Sequence, residues 1–132
     1  MNRETEIQEL LTRGVATYID PDKSFSQKLE SNPKGIVIKF GVDPTRPDIH
    51  LGHAVVLRRL RKFQDLGCKV VFLIGDYTTQ IGDPTGKSKV RPEISQQEIE
   101  QNMKTYLEQV GKILRTDGDV FTWIRNSDWF LN

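Results

Sequence analysis

The two histidines of this 132-residue chain, His50 and His53, stand three apart in "PDIHLGHAVV". At the start of a helix that spacing projects both rings from one side of the first turn, where each can donate a hydrogen bond to a phosphate oxygen. The helix adds unpaired N–H groups and the positive end of its dipole, so an anion belongs in front of Leu51. Gly52 lets a flat ring lie against the backbone, which suits a nucleotide base or ribose. Upstream, Gly41 leaves room for a ligand to approach, and Pro44 and Pro47 stiffen the turn. Two histidines so spaced can also share a metal. A zinc site needs three or four ligands, however, and Cys68, the single cysteine, lies at the far end of the crossover. The expectation is therefore no metal.

A second loaded stretch is "GDPTGKS" (Gly82 to Ser88). It falls one residue short of the phosphate-loop pattern G-x-x-x-x-G-K-[ST], with Ile81 where the first glycine should stand. Pro84 and Pro92 also separate it from the next helix, so it is not a P-loop. Lys87, Lys89 and Arg91 remain as cations on a glycine- and proline-rich loop suited to a polyphosphate. Asp83 is out of place beside phosphates unless it faces a cationic group such as an amine, which hints at a second substrate.

These residues need a frame. "GIVIKFGV" (Gly35 to Val42) and "KVVFLIG" (Lys69 to Gly75) read as buried strands, and "VFTWIR" (Val120 to Arg125) as a third. Between the first two, Val56, Leu60, Phe63 and Leu66 form an apolar helical face, with Arg58, Arg59, Arg61 and Lys62 around the other and Gly67 as C-cap. A long loop is expected from Asp76 to about Ile94. A capping box of Ser95 and Glu98 then opens a helix through Ile99, Met103, Tyr106, Leu107, Val110, Ile113 and Leu114. The order β-α-β-α-β with right-handed crossovers makes a parallel sheet of Rossmann-like type, whose ligands bind beyond the carboxyl ends of the strands. Ahead of it, "ETEIQELLTR" with Gly14 as stop, and a segment with Asp20 as N-cap and Pro21 as first helical residue, predict two short helices. The expected division is a helical segment over 1–34 and, over 35–132, the first half of a nucleotide-binding domain. The chain stops soon after the third strand, so the second half of a doubly wound fold is expected to be missing. Trp123 and Trp129 read as core or lining residues, and Asn126 and Asp128 as either crevice-facing residues or turn formers.

Composition narrows the class without choosing a partner. Nineteen basic and eighteen acidic residues leave a formal charge of +1, which argues for no polyanionic partner as a whole. No apolar run is long enough to span a bilayer and the start lacks a signal-peptide core, so a soluble, cytoplasmic protein is expected. One cysteine excludes an internal disulfide, and Cys68 reads as a small buried hydrophobe.

"HLGH" resembles the first signature of class I aminoacyl-tRNA synthetases, and "KFGVDPTRPDIHLGH" together with "IGDYTTQIGDPTGKS" is similar to the bacterial tyrosyl-tRNA synthetases. The tryptophan enzymes resemble it less, since they usually carry asparagine where His53 stands and lack the "GDPTG" loop. The resemblance implies a Rossmann-like fold of the HUP type and activation of L-tyrosine by ATP, followed by transfer to tRNA(Tyr). It implies that Thr45 and His50 hold the γ-phosphate and outgoing pyrophosphate, Gly52 and His53 the ribose and adenine side, and the backbone near Asp43 the α-phosphate, with Gly41 and Pro44 shaping that ATP site. It further implies that Lys87 and Arg91 clamp pyrophosphate, and that Thr78 and Asp83 line the tyrosine site with Asp83 on the α-ammonium group. No tightly bound cofactor is implied; Mg²⁺ would accompany ATP as substrate, and the full-length enzyme would be a homodimer without membrane attachment. Lys39 stands where many members carry a tyrosine that contacts the substrate phenol, as in a lysine-bearing subgroup. The "KMSKS" loop and the tRNA-binding module do not occur in these residues, so a fragment with little activity of its own is expected. The competing expectation is a truncated nucleotide-binding paralogue or interaction module without ligase activity.

Overall fold

The computed structural model describes residues 2–81 and 94–130. Its centre is a three-stranded parallel sheet of β1 (Val37–Val42), β2 (Lys69–Ile74) and β3 (Phe121–Arg125), in the order β1-β2-β3. The register aligns Val42 with Ile74 and Ile74 with Arg125. The three carboxyl ends are therefore level, and the three following segments leave the sheet side by side.

The crossovers are α3 (Leu51–Leu66) and α5 (Gln96–Val110). Alternation along the strands turns Ile38, Phe40, Val42, Val70, Phe72, Ile74 and Phe121 to one face, where they meet Leu57 and Leu60 of α3 and Ile99, Met103, Tyr106 and Val110 of α5. Val70, Phe72 and Ile74 are wholly buried, each worth about 1.5–3 kcal/mol in transfer free energy. Leu60 and Phe63 of the expected α3 seam are buried, but its first position is taken by Leu57 while Val56 is 42% exposed, because adjacent apolar residues leave the phase of a helical stripe ambiguous. The same face buries Gln64. Its amide donates to the carbonyls of Arg115 and Val120 and accepts the Arg115 N–H at 2.8 Å, which ties α3 to the turn before β3.

A second cluster joins α1 (Arg3–Thr12) and α2 (Ser24–Ser31) to the amino end of the sheet, through Ile7, Leu10, Leu11 and Leu29 against Ile36, Phe63 and Cys68. Burial pushes the Cys68 thiol up to about 11, as befits a small hydrophobe. Asp20 is not the N-cap of α2, a position that Lys23 holds; its carboxylate reaches the first turn from three residues further upstream and accepts the Phe25 and Ser26 N–H groups. Nor is Pro21 the first helical residue: the helix opens at Ser24, after Lys23 in a left-handed conformation with φ 54°. The Tyr18 hydroxyl, then the Ser26 and Phe25 N–H groups, hold the Asp20 carboxyl below its usual range.

Further expectations are corrected. The segment after β2 is not a loop from its start, since Asp76–Ile81 forms a short helix, α4. Gly35 belongs to a 3-10 turn and not to β1, and α5 ends at Val110 before Leu114, although Leu114 is buried as expected. Trp123 and Trp129 are 40% and 47% exposed; Trp123 lies on the outer strand β3, where the Arg125 guanidinium stands 5.7 Å from its ring. Among the described residues no helix is long and apolar enough to cross a membrane.

Candidate functional site

Two features meet at the level carboxyl ends of the strands. The first is the start of α3. After β1 the chain passes through Asp43 and the buried Pro44, where the Thr45 N–H donates to the Asp43 carbonyl at 2.8 Å. It reaches His50, the N-cap, whose Nδ1 accepts the Gly52 N–H at 3.1 Å. His53 Nδ1 accepts the His50 N–H at 3.2 Å, and the two rings lie 4.0 Å apart. An Nδ1 that accepts a backbone N–H carries no proton, so in the neutral ring the proton sits on Nε2 and is available to a ligand. Burial first, and the neighbouring His50 second, keep the His53 pKa below the ordinary 6.5, which favours that neutral form. A Cβ at Gly52 would stand 2.9 Å from the His50 ring, so glycine there is what lets the imidazole fold back onto the turn.

The second feature is a cleft of about 330 Å³ between the ends of β1 and β2, lined by Lys39, Gly41, Asp43, Thr78, Asn126 and Trp129 among others. The Thr78 hydroxyl donates to Asp43 Oδ1 at 3.1 Å and accepts from Asn126 Nδ2 at 2.9 Å. Asn126 Oδ1 in turn accepts the Tyr77 N–H at 2.9 Å. Beneath this chain Asp76, 3% exposed, accepts from the Tyr77 and Ser127 N–H groups and from the Ser127 hydroxyl at 2.6 Å. It thereby joins α4 to α6 (Ser127–Phe130). Gly75 makes the close approach possible, because a Cβ there would lie 2.1 Å from Asp43 Oδ1.

Of the residues singled out in the sequence, Thr45, His50, Gly52 and His53 fall at or just before the α3 start, Gly41 and Asp43 line the cleft with Thr78, and Pro44 lies between the two. Asp83, Lys87 and Arg91 lie outside the described residues. Asp76 was missed, although an aspartate directly after the buried run "VVFLIG" is a signal of its own. Asn126, which the sequence left open, faces the cleft and holds Thr78. Among the described residues no three of His, Cys, Asp and Glu converge as metal ligands.

A level-ended parallel sheet with a polar cleft and a helix start suited to phosphate defines a Rossmann-like α/β domain. Residues 30–132 match the family described as tRNA synthetases class I (W and Y), and the chain belongs to that family. Similar proteins include the tyrosine–tRNA ligases of Synechococcus sp., 46% identical over 98% of this chain, and of Francisella tularensis, 48% identical over 98%. In both cases the chain spans about a third of the relative's length, 32%. A C-terminally truncated mitochondrial tyrosyl-tRNA synthetase from Aspergillus nidulans superposes with a TM-score of 0.70 at 26% identity, over 96% of this chain and 39% of its own. The Archaeoglobus fulgidus enzyme complexed with L-tyrosine gives 0.70 at 20% identity, over 98% and 36%, and supports the fold alone.

Proposed function

We propose that this chain carries the ATP-binding part of a tyrosine–tRNA ligase, which joins L-tyrosine to the α-phosphate of ATP and then passes it to tRNA(Tyr). The observation that carries the reading is the pairing of the His50–His53 helix start with the Asp43–Thr78 cleft across adjoining strand ends. A relative named for tyrosine and matching 98% of this chain favours it over a remnant pocket.

In this reading a tyrosine carboxylate oxygen bonds to the α-phosphorus while the bond from that phosphorus to the bridging oxygen breaks and pyrophosphate leaves. Charge builds on the leaving group, so donors aimed there lower the barrier, and no covalent enzyme intermediate is required. The α3 dipole and the Nε2–H group of His50 supply such donors, with Thr45 beside them. His53 and Gly52 meet the ribose and adenine side, and the open edge at Gly41, with Asp43 and Pro44, admits the α-phosphate. Thr78 faces tyrosine. The resemblance assigns Asp83 to the ammonium group and Lys87 and Arg91 to pyrophosphate, and Mg²⁺ enters with ATP as substrate. The division into 1–34 and 35–132, the cytoplasm as compartment and a homodimeric full-length enzyme belong to the same proposal.

Calorimetry with ATP, AMP and L-tyrosine tests it. ATP binding that is lost in His50→Ala supports the assignment; an absence of ATP binding overturns it. Tyrosine-dependent pyrophosphate exchange by the chain alone is expected to be far below that of its full-length relatives.

A further inference from the structure

The turn that presents the histidines is built from residues with little regular structure of their own, and what holds it comes from α5. Three α5 residues on one helical face, spaced 102, 106 and 109, each reach it. Asn102 Nδ2 donates to the Pro44 carbonyl at 3.0 Å. The Tyr106 ring meets His53 edge-on, with centroids 6.4 Å apart and planes at 74°. Gln109 Oε1 accepts the Ile49 N–H at 2.8 Å while its Nε2 donates to Asp48 Oδ1 at 3.2 Å. Gln109 thus satisfies both sides of the dipeptide just before the N-cap, and Asn102 fixes the other end of the same segment five residues upstream of Ile49. An amide side chain suits this task because it offers one acceptor and two donors on a single plane.

We propose that Gln109 and Asn102 are positioning residues for the nucleotide site: they hold the 44–49 segment so that His50 and His53 keep their Nδ1 atoms on the backbone and their Nε2–H groups free for the ligand. The inference rests on the ATP-binding reading given above. It makes α5, which contributes no side chain to either signature stretch, the template on which the first signature is shaped. Placement within about half an ångström is what separates a working donor array from an idle one.

The test is made by NMR on the 132-residue chain, with Gln109→Ala and Asn102→Ala as the variants and Val110→Ala as the control. The control empties a buried position beside Gln109 and touches neither amide contact. In the unaltered chain the imidazole nitrogen shifts are expected to show Nε2–H tautomers at His50 and His53, with a protected Ile49 amide. Gln109→Ala is expected to speed Ile49 exchange by roughly tenfold or more and to mix the tautomers, whereas Val110→Ala lowers stability and leaves both readings in place. Unchanged tautomers and exchange in Gln109→Ala, or the same change in Val110→Ala, would overturn the proposal. Should Gln109→Ala fail to fold, Gln109→Glu keeps the acceptor for Ile49 but opposes Asp48, and the same tautomer mixing is expected; its absence counts against the proposal. ATP titration separates the two readings. If the unaltered chain binds no ATP, the activation reading falls while tautomers and exchange still decide this one. If it binds, Gln109→Ala weakens ATP roughly five- to tenfold, and equal affinity rejects the positioning role.

Discussion

His53 accepts the backbone N–H of His50 through Nδ1 at 3.2 Å, so one imidazole caps the helix start that carries the other. A protonated ring has no lone pair to accept with, and the cap is lost on protonation. The folded pKa of His53 lies below 6.5, which is the value in the unfolded chain. The unfolded state therefore takes up the proton first. Stability is fully present above about pH 6.5 and falls as pH drops through the folded pKa. Urea midpoints measured from neutral to mildly acid pH are expected to show this decline. His53→Gln, which can reach back to the N-cap N–H without titrating, is expected to flatten it; an identical decline in that variant would assign the effect elsewhere.

Gly75→Ala is expected to open the cleft. Its Cβ would lie 2.1 Å from Asp43 Oδ1 and 2.5 Å from Thr78 Oγ1, so both must move. Overpacking of this kind loses about 1–3 kcal/mol of stability. A denaturant series gives that loss, and calorimetry with L-tyrosine gives the accompanying loss of binding. Wild-type affinity in a folded Gly75→Ala chain would place tyrosine outside this cleft.

Asp76 separates charge from shape. Asp76→Ala takes the acceptor from the Ser127 N–H and hydroxyl, while the Tyr77 N–H keeps Asn126 Oδ1, and a loss of about 1–3 kcal/mol follows. In Asp76→Asn the carbonyl oxygen can still accept both N–H groups while the new amide donates to Ser127 Oγ. That variant is expected to stay within about 1 kcal/mol of the parent in urea unfolding. Equal losses in the two variants would mean that the negative charge, and not the bond count, holds α4 to α6.

Gln64→Leu keeps the buried volume and removes the polar link to the turn before β3. The Arg115 N–H then has no Gln64 oxygen to bond, for a loss of about 1–3 kcal/mol, while Val120 still accepts the Val70 N–H. Hydrogen exchange at Arg115 in the folded variant is the direct reading. Unchanged protection there would show that another acceptor replaces Gln64.

The parts legible in the sequence were those whose signals are local. The strand cores, the capping box at Ser95 and the pairing of His50 with His53 follow from periodicity and from side-chain types at short spacing. What was not legible depends on distant partners. "DYTTQI" has no amphipathic period, and it is helical where Asp76 and Asn126 both accept the Tyr77 N–H of its first turn. Trp123 read as a core or lining residue because a tryptophan in an apolar strand usually is one; which strand forms the edge of a sheet is a fact of topology, not of spacing. Gln109 and Asn102 read as polar positions of an amphipathic helix, and only the packing of α5 beside the 43–50 turn gives their amides a partner.

The described helices differ in how their first turns are charged. α1 carries Glu4 and Glu6 there, α4 begins on Asp76, α5 has Glu98 and α6 has Asp128, while α2 takes the Asp20 carboxylate on two of its N–H groups. α3 has no acidic residue in its first turn and is closed by imidazoles alone. Five helices thus bring their own counter-charge, and in the proposed function the sixth receives it from the nucleotide. A polyanion in front of Leu51 would do for α3 what an aspartate does for its neighbours, making the ligand's charge a missing capping residue of the fold.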